Sequence, residues 1–193
     1  MKKKITVILG HPFRESFCNS IMQSYVDGAR ESGAEVREVC LGDLKFDPIL
    51  RKGYSTIQEL EEDLKKAQED MKWADHLVFV YPTWWGGMPA IMKGFIDRVF
   101  LPGFGFKFQK GKTCHDRLLS GKSAHLIVTM DNKQKIRERI LGAPSVVALK
   151  KIVLEFCGVK PVDITIISPL RKFNDGQKKS LLFDIKEKGR KFL

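Results

Sequence analysis

Two hydrophobic rhythms alternate along the chain. Lys4 to Gly10 (KITVILG) is a short β-branched run and reads as a strand. From Ser16 to Glu31, Phe17, Ile21, Met22, Tyr25, Val26 and Ala29 recur at helical spacing, and Gly33 lies where a left-handed cap is wanted. Glu35 to Leu41 is a second, half-exposed strand, and Asp43 to Ser55 is irregular. Thr56-Ile57-Gln58-Glu59 has the form of a capping box. With the stripe Ile57, Leu60, Leu64, Ala67 and Met71 it predicts a helix over 57–73. His76 to Tyr81 is continuously apolar, as a strand buried on both faces is. A helix over Pro89 to Phe100 follows, then a strand from Ala124 to Thr129 and a helix from Ser145 to Phe156. The strand Val162 to Ile167 and a helix over 175–192 complete the pattern.

Strands alternating with helices predict an α/β domain, a parallel sheet with helices on both faces. Five strands suit the doubly wound order 2-1-3-4-5. No repeat or linker divides residues 1–193, so a single domain is expected. The longest irregular piece, Leu101 to Gly121, has the length of a functional loop. Within it Phe104, Phe106 and Phe108 alternate. They are either a hairpin at a dimer seam or a local cluster tying the loop down.

Composition narrows the class. No window reaches the roughly 18 continuous apolar residues of a membrane span. The basic start, Met1 to Ile5, runs into too short an apolar stretch for a secretory signal. A cytoplasmic protein without membrane insertion is expected. Cys18, Cys40, Cys114 and Cys157 are far apart with no CxxC, so free thiols and no metal site are expected. The net charge of +11 is spread along the chain and reads as a solvated basic face. No basic stripe with interleaved aromatics supports nucleic-acid binding.

In such sheets ligands bind beyond the strands' carboxyl ends, where strand order reverses. The loops there are Gly10 to Ser16, Pro82 to Met88 and Thr129 to Pro144. The first enters a helix N-terminus, which favours an anion, and His11, Arg14 and Ser16 add donors. A capped helix alone would also explain Ser16. The second places Trp84-Trp85 beside Gly86-Gly87. Aromatic rings can face a flat ligand, and glycines let backbone approach its edge. A flat heteroaromatic with a phosphate tail, a flavin nucleotide, would use both loops. The bland alternative makes the tryptophans core anchors. At least one is expected to pack, because neighbours in an extended segment point opposite ways. GxGxxG, GxxxxGK[ST] and GxSxG are all missing, which argues against a Rossmann dinucleotide site, a P-loop ATPase and an elbow hydrolase. His11 and Cys18 as a nucleophile pair lack a group to orient the base.

"GHPFRESFCNS" together with "YPTWWGGMPAIMKGFIDRVFLPGFGF" resembles the flavodoxin-like NAD(P)H:quinone oxidoreductases, which include bacterial drug-modulator and potassium-efflux ancillary flavoproteins. "EFCGV" near Cys157 is similar to their C-terminal region. The resemblance implies a flavodoxin-like fold, a homodimer, and bound FAD with FMN as the alternative. It implies NAD(P)H as donor and ping-pong two-electron reduction of a small-molecule quinone or similar acceptor. His11, Ser16, Phe17 and Cys18 match the family's phosphate loop. Pro82, Thr83, Trp84, Trp85 and Gly86 match the loop at the flavin ring, with Trp85 and Gly86 at the substrate site. Thr129, Met130 and Asp131 match the start of the third flavin loop. The long loop after Phe100 favours FAD, as a cover for an adenine half. The segment "TMDNKQKIRERILGAP" departs from the family: it has no Gly-Gly, tyrosine or histidine, so no acid/base pair carries over. Arg14, Lys133, Arg137 and Arg139 are candidates for a ribose 2′-phosphate. The rival readings are a flavodoxin-type electron carrier, which would usually be acidic, and a flavin-binding regulatory subunit of an ion-efflux system.

Overall fold

A computed structural model describes residues 2–109, 111, 114–131 and 144–193. The central sheet contains β1 (Lys4–Leu9), β2 (Glu35–Cys40), β3 (His76–Pro82), β6 (Ser123–Thr129) and β7 (Val162–Ile167). All its pairings are parallel, in the order β2-β1-β3-β6-β7. Counted along this sheet, that is the doubly wound 2-1-3-4-5 order. β4 (Phe106–Phe108) and β5 (His115–Arg117) form a separate antiparallel hairpin in the long loop.

Each sheet face has its own helices. One core joins Leu77, Phe79, Leu126 and Val128 to α2 (Glu62–Trp73) and α3 (Ala90–Val99). It extends to α4, helical from Pro144–Val147 and π-helical over Ala148–Leu154. The other core joins Val7, Leu9, Val78, Val80 and Ile127 to α1 (Phe17–Glu31) and α5 (Asp175–Arg190). Central β3 is buried along its whole length because it faces both.

α1 and α5 touch through glycine. A Cβ on Gly28 would overlap the Lys186 carbonyl, and one on Gly189 would overlap that of Tyr25. Gly28→Ala should therefore destabilise, despite a helix-propensity gain of about 1 kcal/mol. Overpacking of this kind costs about 2 kcal/mol net, a melting temperature lower by roughly 4–8 °C. A thermal melt with an unchanged midpoint would show that the helices can separate freely.

The expected helix over 57–73 is shorter than its sequence pattern. It begins at Glu62, Glu61 is its N-cap, and Ile57 is almost fully exposed. The capping-box signal at Thr56 loses to tertiary bonds. Gln58 accepts the Arg51 N–H at 3.0 Å and donates to the Ile49 carbonyl at 3.2 Å. Arg98, wholly buried on α3, takes the Glu59 carbonyl at 2.8 Å and the Glu61 carboxylate at 2.9 and 3.2 Å. The Asp47 carbonyl accepts from it as well. Residues 47–61 are thus a strap tied to one guanidinium.

Candidate functional site

The carboxyl ends of β1, β3 and β6 bring three loops around a cleft of about 180 Å³. His11, Ser16, Phe17 and Cys18 line it from the first, Pro82, Thr83 and Trp84 from the second, and Thr129, Met130 and Asp131 from the third. Leu170, beyond β7, completes the lining. Sequence reasoning missed Leu170, although its place just past the last strand was the available signal.

The first loop is held from β2. A Cβ on Gly42 would overlap the Pro12 carbonyl, so the two backbones meet there directly. Arg14 is ion-paired with Asp43 on the exposed rim. Ser16 is extended, and its Oγ accepts the Asn19 N–H at 3.3 Å, capping α1. The first-turn N–H groups of Phe17 and Cys18 have no partner inside the helix, and the dipole adds positive potential there. Nδ1 of His11 accepts the Phe13 N–H at 3.0 Å. Partial burial lowers the pKa of His11 and the Phe13 carbonyl raises it, with burial winning. Nδ1 also stands 3.1 Å from the Phe13 carbonyl; with Nδ1 accepting from the Phe13 N–H, the neutral ring would carry its proton on Nε2. Its edge meets Trp84, centroids 5.4 Å apart.

Cys18 and His11 do not form a nucleophile pair. The Cys18 thiol lies 3.4 Å from Thr129 Oγ1. Burial pushes its pKa up to about 11, the Thr129 contact opposing, so it stays a thiol at neutral pH. The Thr83 N–H donates to the Thr129 carbonyl at 2.7 Å, joining the second loop to the third. Thr83 Oγ1 is buried with no hydrogen-bond partner. Asp131 accepts the Arg171 N–H at 3.1 Å and pairs with that guanidinium, which anchors the turn carrying Leu170.

The tryptophans are not core anchors. Trp84 and Gly87 exchange both backbone hydrogen bonds, 3.0 and 2.9 Å, closing a tight turn. Its central residues, Trp85 at φ 48° and Gly86 at φ 84°, are both left-handed, the type I′ form. Trp84 is half-exposed at the cleft, while Trp85 is fully exposed outside it. Gly86 lines a neighbouring groove. Gly87 spends its N–H on the turn itself. Of the expected site residues, then, the cleft gathers all but Arg14, Trp85 and Gly86. Lys133, Arg137 and Arg139 lie outside the described residues.

The aromatic hairpin packs away from the cleft. Phe106 meets Phe156 at 5.1 Å, and His115 stacks on Phe156 at 3.9 Å. None of the described residues of 101–121 lines the cleft.

Residues 3–182 match the family described as the flavodoxin-like fold, and the chain belongs to it. It is similar to the "Uncharacterized NAD(P)H oxidoreductase" of Haemophilus influenzae, 27% identical with 91% of this chain and 89% of that protein covered. It is also similar to rat "NAD(P)H dehydrogenase [quinone] 1", 23% identical over 86% of this chain and 68% of that one. The crystal structure of Smu.1420 from Streptococcus mutans superposes with a TM-score of 0.83 at 30% identity, covering 99% of this chain and all of that one.

Proposed function

We propose that this protein is a flavin-dependent NAD(P)H oxidoreductase that reduces quinones or similar small acceptors. The observation that carries the reading is the cleft. It joins a helix N-terminus with open donors to an aromatic wall and a buried, unpartnered Thr83 hydroxyl. These residues fit a flavin nucleotide. The Phe17 and Cys18 N–H groups and the α1 dipole would hold a phosphate. His11 Nε2 would donate to it or to the adjoining arm. Trp84 would flank the ring, and Thr83 Oγ1 would find its missing partner on the ring's polar edge. A bound flavin would supply the redox chemistry, accepting hydride from NAD(P)H and passing two electrons to the acceptor. The names of the H. influenzae and rat relatives support this donor and, for the rat protein, a quinone acceptor.

A homodimer belongs to the same proposal. Phe108 is exposed on the hairpin, beside an apolar pocket of about 410 Å³ lined by Phe100, Phe106, Ile152 and Phe156.

The test is the visible spectrum of the purified protein before and after anaerobic NADPH. A yellow spectrum that bleaches and returns with a quinone is the expected result, with FAD or FMN identified after release by heat. A yellow protein that NADPH leaves unbleached would turn the reading towards a carrier or a regulatory subunit. A colourless protein that takes up neither flavin would end it. Trp85→Ala should lower quinone turnover more than flavin retention, because the exposed ring stands outside the cleft on the turn that carries Trp84. Unchanged steady-state kinetics would remove Trp85 from the acceptor side.

A further inference from the structure

The cleft lies at the carboxyl end of the sheet. At the amino end, lateral backbone hydrogen bonds tie the strand starts into one row. The Glu35 N–H donates to the Lys3 carbonyl at 2.9 Å, and that of Asp75 to the Lys4 carbonyl at 2.8 Å. The Ser123 N–H donates to the Asp75 carbonyl at 3.1 Å, and that of Lys160 to the Lys122 carbonyl at 2.8 Å. Neighbouring strands lie about 4.8 Å apart, so this five-strand edge is roughly 19 Å long.

Helix ends bring further lysines to it. α5 finishes beside the end of α1: a Cβ on Gly189 would overlap the Tyr25 carbonyl, and Arg190 pairs with Glu31 at 2.6 Å, just before β2 begins at Glu35. That sets Lys188 and Lys191 next to the row. Lys2, Lys160 and Lys191 are exposed, and Lys3 and Lys188 are half-buried. Among the described residues, none of these five has a carboxylate within ion-pair distance. Against them stand Glu35, Asp75 and Asp163, of which Asp75 already accepts the Lys4 N–H at 3.0 Å. At the carboxyl end, carboxylates answer several of the cations: Asp43 pairs with Arg14, Asp131 with Arg171 and Asp175 with Lys178.

The chemistry of this edge selects its partner. Its one tryptophan, Trp73, is covered by Lys4 and Arg37, 5.6 and 4.1 Å from the ring centre. No open ring is left there for a base to stack on, the feature that single-stranded nucleic acid needs. A broad edge of long, uncommitted lysines suits a surface of many anionic headgroups, on which each lysine strengthens binding about fivefold. We propose that the amino edge of the sheet docks this protein on an anionic lipid membrane, without insertion, and leaves the cleft at the far end open to water. The docking is electrostatic and does not depend on the flavin reading.

The test is co-sedimentation of the purified protein with vesicles of phosphatidylcholine alone and of equal parts phosphatidylcholine and phosphatidylglycerol. The protein should pellet with the mixed vesicles at low salt, stay in solution with phosphatidylcholine alone, and be released by high salt, which screens exposed charge. Changing Lys3→Gln, Lys160→Gln and Lys188→Gln together should weaken partitioning on the order of a hundredfold. Arginine at the same three positions should keep it. The same loss of charge at the carboxyl end, Lys45→Gln, Lys172→Gln and Lys179→Gln, should cost far less. Equal losses in the two glutamine triples would overturn the proposal, because net charge alone would then explain binding. So would pelleting with phosphatidylcholine alone, or failure to pellet with either vesicle. Retention on immobilised single-stranded RNA without binding to the mixed vesicles would assign the edge to nucleic acid instead. A blue shift of tryptophan emission on the mixed vesicles that Trp85→Phe abolishes would move the contact to the cleft rim and overturn it as well.

Discussion

Arg98→Met should lower stability by about 3–5 kcal/mol, because it takes the donor away from two backbone carbonyls and from the one-third-exposed Glu61 carboxylate at once. The melting temperature should drop by roughly 6–20 °C. The guanidinium is wholly buried and holds the Glu61 carboxylate together with the carbonyls of Asp47 and Glu59. Burial raises the Glu61 pKa, but the Asp47 N–H and Arg98 more than offset it, and the net direction is downward. Stability from Glu61 is therefore present above its unfolded pKa and lost as pH falls through the lower folded value. Arg98→Lys should recover little, because an ammonium cannot reach three acceptors in one plane. Removing Glu61 and Arg98 together should cost less than the sum of the single changes, since neither charge is then left alone. A thermal midpoint for Arg98→Met within about 2 °C of wild type, less than 1 kcal/mol, would refute the strap's dependence on it.

Acid should weaken the protein well before most carboxylates protonate, and His76 should account for much of it. His76 is 2% exposed at the start of β3, with Nδ1 2.7 Å from Ser123 Oγ and Nε2 buried without a partner. Burial is the main cause that lowers its pKa from 6.5 to about 4, with His125 and Lys3 adding to it. Burial also lowers the pKa of His125. The folded state holds these rings neutral. Below pH 6.5 the unfolded chain takes up protons that the folded chain refuses, so stability declines as pH falls from 6.5 towards about 4. For His76 alone the loss is on the order of 3 kcal/mol across that window. Denaturant titrations of His76→Gln at pH 7 and pH 4.5 should show a smaller difference than wild type. An identical difference in the two proteins would place the acid sensitivity elsewhere.

The order of strands and helices was legible in the sequence because each element is patterned by the face it buries. β3 is apolar at every position because it has two cores to fill, and α1 carries its stripe because only one face meets the sheet. The cleft was legible for a related reason. In a doubly wound sheet the chain order alone decides which loops converge, so His11, Thr83 and Thr129 could be grouped without seeing them together. What failed was local. At Thr56 a cap signal was outbid by Arg98, which lies far along the chain. At Trp84-Trp85 the turn hydrogen bonds, rather than extended pairing, set where the rings go. Leu170 carries no motif; only its neighbours in space mark it out.

The left-handed backbone at Trp85 has a consequence for how this protein would respond to selection. A bulky residue in that conformation costs about 1–2 kcal/mol, and its ring, fully exposed, recovers nothing from packing. Glycine would relieve the turn, so a screen that rewards heat resistance alone should drift towards deleting the indole. A library sorted only for thermal survival would thus collect sequences that have shed the exposed ring at the tip of the turn between the two pockets. Where Trp85 persists under such pressure, something other than folding is retaining it.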